Sequence, residues 1–138
     1  MLKRAAFAAA CLLIAFAAAP SVQAAWPDHP IRFIVGFGPG GANDLIARIA
    51  ADGAGKQLGQ TVVVENRPGA GAVIATAYVA HSAADGYTFL VGAAGTITNS
   101  LLLKDLPYKD EDLVPVGMIA VAPSTIIVNP SVPASNMK

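Results

Sequence analysis

The strongest constraint on this chain is an alternation. Apolar runs rich in β-branched and aromatic residues are each stopped by glycine and separated by stretches of helical spacing. The run "IRFIVGF" at residues 31–37 is almost continuously apolar, the mark of a strand buried on both faces. The segment Gly38-Pro39-Gly40-Gly41 breaks it. Over residues 42–58, Leu45, Ile46, Ile49 and Ala50 fall at helical spacing, and Gly59 follows as a C-cap. "TVVVE" (61–65) reads as a second strand and "NRPGAG" as a turn. "AVIATAYVAHSA" (72–83) reads as a small-residue helix closed by Asp85-Gly86, and "YTFLVG" (87–92) as a third strand. A second glycine-bearing loop, "GAAGTITNS", comes next. Strand, helix, strand, helix, strand with fully apolar strands implies an α/β fold: a parallel sheet with helices on both faces. Further on, "LPYKDEDL" is a polar connector, and "VPVGMIAVAP" and "STIIVNP" read as two more strands within 114–129. "SVPASNMK" is a tail.

The first 24 residues have a different character. "MLKR" is a short basic start, followed by an apolar run from Ala5 to Ala19, then Pro20 and "SVQA". Val22 and Ala24 occupy the small-residue positions of a signal-peptidase site, so residues 1–24 are expected to be a cleaved export signal. Cys11, the sole cysteine, lies inside it, which leaves no thiol for a disulfide or a zinc–thiolate site. Without Lys3 and Arg4, seven basic residues face nine acidic ones, a net charge of −2 that offers no electrostatic footprint for nucleic acid.

Gly36, Gly38 and Gly41 have the spacing G-x-G-x-x-G at a strand-to-helix junction, where a dinucleotide-binding loop belongs. Glu65 ends the second strand, near the place of a ribose-binding carboxylate. Against that reading, Asp44 in the first helical turn competes with a pyrophosphate for the positive helix end. Pro39 removes one backbone donor, and an exported protein meets little nicotinamide cofactor. As a plain compact turn, the loop would leave Asp44 and Arg48 as an ordinary i,i+4 surface pair. Loops at the carboxyl ends of parallel strands share one edge, however, and the loop at residues 92–96 falls on the same edge as this one. Together they make a small-anion site.

No constellation for catalysis is visible. His29 and His81 lack metal-ligand spacing, Asp110-Glu111-Asp112 lacks the pattern of a calcium loop, and Ser82, Ser100 and Ser124 lack a G-x-S-x-G context. Glu65 has no partner for acid–base work. No enzymatic activity and no cofactor or metal are expected.

The segments "WPDHPIRFIVGFGPGGANDLIAR", "LGQTVVVENRPGAGAVIATAYVA", "ADGYTFLVGAAGT", "LPYKDEDLVPV" and "VNPSVPA", in this order, cover nearly all of residues 25–138. They resemble the Bug-type receptors of tripartite tricarboxylate transporters. The resemblance implies a periplasmic solute receptor with the two-lobed type II binding-protein fold, which holds a small organic carboxylate and passes it to membrane permease subunits. It implies a first α/β lobe over residues 25–130 and the start of a crossover at 131–138, with the second lobe missing. It also implies that residues 37–44 and 92–96 grip a ligand carboxylate through backbone N–H groups. Phe37 would be an apolar wall and Pro39 part of the loop. Gly38, Gly40 and Gly41 would allow close approach, Asn43 would offer an amide, and Asp44 would tie the loop or reach a ligand amine. Ala94, Gly95 and Thr96 would form the opposing jaw. Gly36 and Gly38 stand where proline is common in similar proteins, and Ile97 where histidine is. Two other readings stay open: a gene fragment without independent function, and an exported dinucleotide-binding enzyme using Gly36, Gly38 and Gly41.

Overall fold

The computed structural model describes residues 25–123, 125 and 127–132. The expected export signal lies outside the described residues. Three parallel strands form the sheet: β1 (Ile31–Val35), β2 (Val62–Asn66) and β3 (Thr88–Val91), in the order β2-β1-β3. Ile31 pairs with Val62 at one end of β1, and Val35 pairs with Asn66 and Val91 at the other. Helix α1 (Ala42–Leu58) joins β1 to β2, α2 (Val73–Ala80) joins β2 to β3, and α3 (Ala94–Leu102) follows β3. Residues Ala70–Ala72 make a tight turn, and a short 3₁₀ turn occurs at Asp110–Asp112.

The alternation of side chains along β1 sorts the two crossover helices onto opposite faces. Val35 packs with Ala47 of α1 and Val91 of β3, with Phe33, Phe37 and Val64 around them. The next residue, Gly36, points the other way: a Cβ there would lie 2.3 Å from Ala72 Cβ and 3.4 Å from Ala75 Cβ, at the start of α2. Each face is thus closed by one helix, and Ile31, Ile34 and Val35 between them are fully buried. Removing such surface from water supplies most of the drive to fold, roughly 1.5–3 kcal/mol per large aliphatic side chain.

The parallel α/β architecture follows the sequence expectation closely. α1 spans Ala42–Leu58 and ends at Gly59, whose φ of 65° is the left-handed cap conformation. Strand β1 stops at Val35, so Phe37 belongs to the loop, and α2 is shorter than the 72–83 pattern.

Three expectations are corrected. The segment read as a second glycine loop is largely helix, because α3 begins at Ala94. On α1 the buried residues are Asp44, Ala47 and Ala51, while Leu45 and Ile49 are exposed. Small residues let the helix lie close to the sheet, and the larger aliphatics are turned to its outer side. The two strands expected within 114–129 do not form among the described residues. Val114, Val116, Met118, Val121 and Ile127 are all strongly exposed. A β-branched run becomes a strand only when another strand satisfies its backbone, and this segment pairs with neither edge of the sheet.

Candidate functional site

The carboxyl ends of β1, β2 and β3 bring three segments to one edge of the sheet: residues 36–41, residues 67–72, and the first turn of α3. In the first segment each glycine has its own reason. Gly36 is required by packing, since a Cβ would come within 2.9 Å of Ala72 Cα as well as its Cβ. Gly40 has φ 84°, a conformation that strains any side chain. Gly41 is the N-cap of α1 with φ −79°, so the loop's left-handed residue is Gly40 rather than Gly41. Beside Gly38 nothing lies within 4 Å, and beside Gly41 the nearest atom is the Gly38 carbonyl oxygen at 3.6 Å.

Asp44 holds this loop in shape. Its side chain is 5% exposed. Oδ2 accepts from the Gly40 N–H at 2.9 Å and from Arg48 Nε at 3.0 Å. Oδ1 accepts from Arg48 Nη2 at 3.0 Å and from Asn66 Nδ2 at 2.9 Å. Asn66, at the end of β2, also donates to the Phe37 carbonyl at 3.0 Å. The Arg48 hydrogen bonds, then the Gly40 amide and Asn66, hold the Asp44 carboxyl well below the usual carboxylate range. Of the two roles expected for Asp44, this geometry matches loop-tying, because both oxygens are already engaged. It also sets the dinucleotide reading aside. The place of a pyrophosphate at the start of α1 carries a protein carboxylate, and the Gly40 amide is committed to it.

The second segment is a left-handed turn. Gly69, Ala70, Gly71 and Ala72 have φ values of 139°, 47°, 62° and 73°. Two alanines in this region are strained, and packing on both sides holds them there. Ala72 abuts Gly36, and the Gly71 carbonyl accepts from Asn99 Nδ2 of α3 at 3.0 Å. The turn is wedged between the first loop and α3. At the third segment, the Ala93 N–H donates to Thr96 Oγ1 at 3.3 Å, and the Thr96 N–H donates to the Ala93 carbonyl at 2.9 Å. The amides of Ala94 and Gly95 lie in the first turn of α3, where no intrahelical acceptor exists for them.

Residues 38–44 and Ala94, Gly95 and Thr96 therefore stand on the same edge, as expected, but the second group is a helix start and not a loop. Phe37 is half-buried against the core cluster. Asn43 is half-buried and makes no side-chain hydrogen bond among the described residues. The i,i+4 spacing of Asp44 and Arg48 was legible, though the pair encloses a buried carboxylate instead of lying on the surface. Sequence reasoning missed the parts played by Asn66 and Asn99. The one available signal was position: Asn66 closes a strand on the same edge as the glycine loop. Glu65 has a different role, since it pairs with Arg32 Nε at 2.7 Å and Nη2 at 2.9 Å. Arg67, which also reaches Glu65, lies 3.7 Å from the Tyr78 ring centroid. An open cavity of about 640 Å³ lies elsewhere, between α1 and β2, lined by residues including Arg48, Asp52, Lys56 and Val64.

Residues 46–138 match the family model described as "Tripartite tricarboxylate transporter family receptor". The chain belongs to this receptor family. Among curated relatives, a UPF0065 protein of Bordetella pertussis is 41% identical over 93% of this chain and 40% of its own length. Protein BugT of the same organism is 46% identical over 82% of this chain and 36% of its own. The chain thus spans about two-fifths of the length of the curated relatives it matches. Among solved structures, MatC from Rhodopseudomonas palustris with bound malate has a TM-score of 0.65 at 36% identity, covering 68% of this chain and 33% of that one. An R. palustris protein with adipate has a TM-score of 0.58 at 38% identity, covering 62% and 29%. A periplasmic transporter has 0.57 at 42%, covering 61% and 29%. The α/β lobe of this chain is accordingly part of a solute-receptor fold, and the kinship with Bug proteins that the sequence motifs implied is established.

Proposed function

We propose that this receptor-family lobe forms one wall of a periplasmic site for a small organic carboxylate, which the complete receptor delivers to the permease subunits of a tripartite tricarboxylate transporter. The contacts would come from Phe37, Gly38, Pro39, Gly40, Gly41 and Asn43 on one side and from Ala94, Gly95 and Thr96 on the other, with Asp44 holding the first loop. The observation that carries this is the open space beside Gly38. Packing explains Gly36, backbone conformation explains Gly40 and the N-cap position suits Gly41, but none of these explains Gly38. Its missing side chain leaves bare backbone on the sheet edge that also carries the first turn of α3, with the amides of Ala94 and Gly95. Malate and adipate, bound by the two R. palustris neighbours, are both dicarboxylates and set the size and charge to try first.

Calorimetric titration with malate, adipate and related carboxylates tests the proposal, alongside a Gly38→Val variant. A β-branched side chain at an open position should leave thermal stability unchanged and weaken binding by about tenfold or more, since it occupies the space the ligand needs. Equal affinity for the variant and the parent would remove this loop from the site. Export is tested separately, by mass spectrometry of periplasmic protein for a mature N-terminus at Ala25. A retained Met1 would overturn the proposed location.

A further inference from the structure

We infer that Arg48 and Asn66 are positioning residues for the anion site: together they fix the loop at residues 37–41 and cancel the charge of the carboxylate that anchors it. The inference rests on the carboxylate reading above for its binding consequence, and on geometry alone for its loop-shaping consequence.

The first loop has few anchors of its own. Two hydrogen bonds set its path, one from the Gly40 N–H to Asp44 Oδ2 at 2.9 Å and one from Asn66 Nδ2 to the Phe37 carbonyl at 3.0 Å. Asn66 also donates to Asp44 Oδ1 at 2.9 Å, so a single amide nitrogen links the start of the loop to its anchor. Arg48 closes the set. It donates to both Asp44 oxygens at 3.0 Å each, and its Nη2 lies 3.3 Å from Asn66 Oδ1, which orients the amide.

An ordinary i,i+4 pair on a helix surface contributes little because both heads are solvated. Here the acidic partner is 5% exposed while Arg48 is 52% exposed, so the carboxylate is enclosed and its counter-charge stands at the surface. A carboxylate placed at the start of α1 beside Gly40 would by itself repel an incoming anion. Paired side-on with a guanidinium it presents no net charge, and the bare amides set the local sign. The other charged groups nearby are engaged elsewhere. Glu65 and Arg67, which flank Asn66 in the chain, pair with each other and with Arg32 and Tyr78, and Asp52 pairs with Lys56 further along α1.

The test compares the isotopically labelled full chain with Arg48→Met, Arg48→Lys and Asn66→Ala. Ligand-free NMR follows exchange of the Gly40 amide and titration of the Asp44 side-chain carbon, and calorimetry at a fixed neutral pH follows malate and adipate. Arg48→Met is expected to speed Gly40 exchange by about tenfold or more. It should raise the Asp44 titration midpoint by roughly one unit or more, and weaken carboxylate binding by about tenfold. Arg48→Lys should restore part of each effect, because an ammonium supplies the charge without the fork. Asn66→Ala should speed Gly40 exchange with little change in the Asp44 midpoint relative to Arg48→Met. Unchanged Gly40 exchange in Arg48→Met overturns the inference. So does unchanged affinity, where the parent binds either ligand. If the parent, which supplies one wall of the site, binds neither, the inference is decided by the Gly40 and Asp44 signals, and an unchanged Asp44 midpoint in Arg48→Met overturns it as well.

Discussion

Gly36→Ala should destabilise this protein through a single added methyl group. The new Cβ would stand 2.3 Å from Ala72 Cβ, 2.9 Å from Ala72 Cα and 3.4 Å from Ala75 Cβ. Carbon atoms prefer separations near 3.5–4.0 Å, so the first contact is more than about 1 Å too short. Neither neighbour yields easily. Ala72 sits at φ 73° in the turn wedged between the first loop and α3, and Ala75 is fully buried. Overpacking of this kind costs about 1–3 kcal/mol. For a domain near 100 residues, a cost of about 2 kcal/mol corresponds to a melting temperature lower by roughly 8–16 °C. Thermal denaturation followed by circular dichroism reads this directly. Ala72→Gly in the same chain removes the worst overlap and relaxes a left-handed alanine, so the double variant should recover at least about half of the loss, a coupling measurable as a double-mutant cycle. A Gly36→Ala protein that melts within about 2 °C of the parent would refute the packing account. A penalty left intact by Ala72→Gly would do the same.

Three further outcomes are expected. Gly40→Ala should cost about 1 kcal/mol in urea denaturation, purely from its φ of 84°, since nothing lies within 4 Å of the added Cβ. Acid should weaken the fold in a defined direction. Arg48 hydrogen bonds lower the Asp44 pKa and Arg32 hydrogen bonds lower that of Glu65, so their contribution is full above the ordinary carboxylate range and is lost as pH falls through the lower folded values. A stability–pH curve should therefore drop below about pH 4, and Asp44→Asn should flatten that drop; a curve of unchanged slope would refute the assignment. Ile97, Leu101 and Leu102 on α3 are 75%, 82% and 77% exposed, so Leu101→Lys should alter stability by less than about 0.5 kcal/mol. Sedimentation velocity should show less concentration-dependent association for that variant than for the parent, as expected when an exposed apolar patch is broken.

The sequence by itself determined the order of elements as far as β3, the parallel sheet, the limits of α1 with its Gly59 cap, and the kinship with transporter receptors. These are properties of short windows. A continuous β-branched run, an aliphatic period, or a glycine after a helix acts over a few residues, and the order of such segments then restricts the sheet to few topologies. What the tertiary structure decided lies between residues distant in the chain. Gly36 meets Ala72, Asn66 reaches Phe37 and Asp44, and Asn99 reaches Gly71 only once β1, β2 and β3 share an edge. The same topology decided that Ala47 and Ala51 face the sheet while Leu45 and Ile49 do not, because the spacing between helix and sheet selects side-chain size as well as polarity. Residues 114–129 carry the local pattern of strands and form none among the described residues. Local preference needs a neighbouring strand to become structure, because each backbone N–H and C=O of a strand must find its partner outside its own segment.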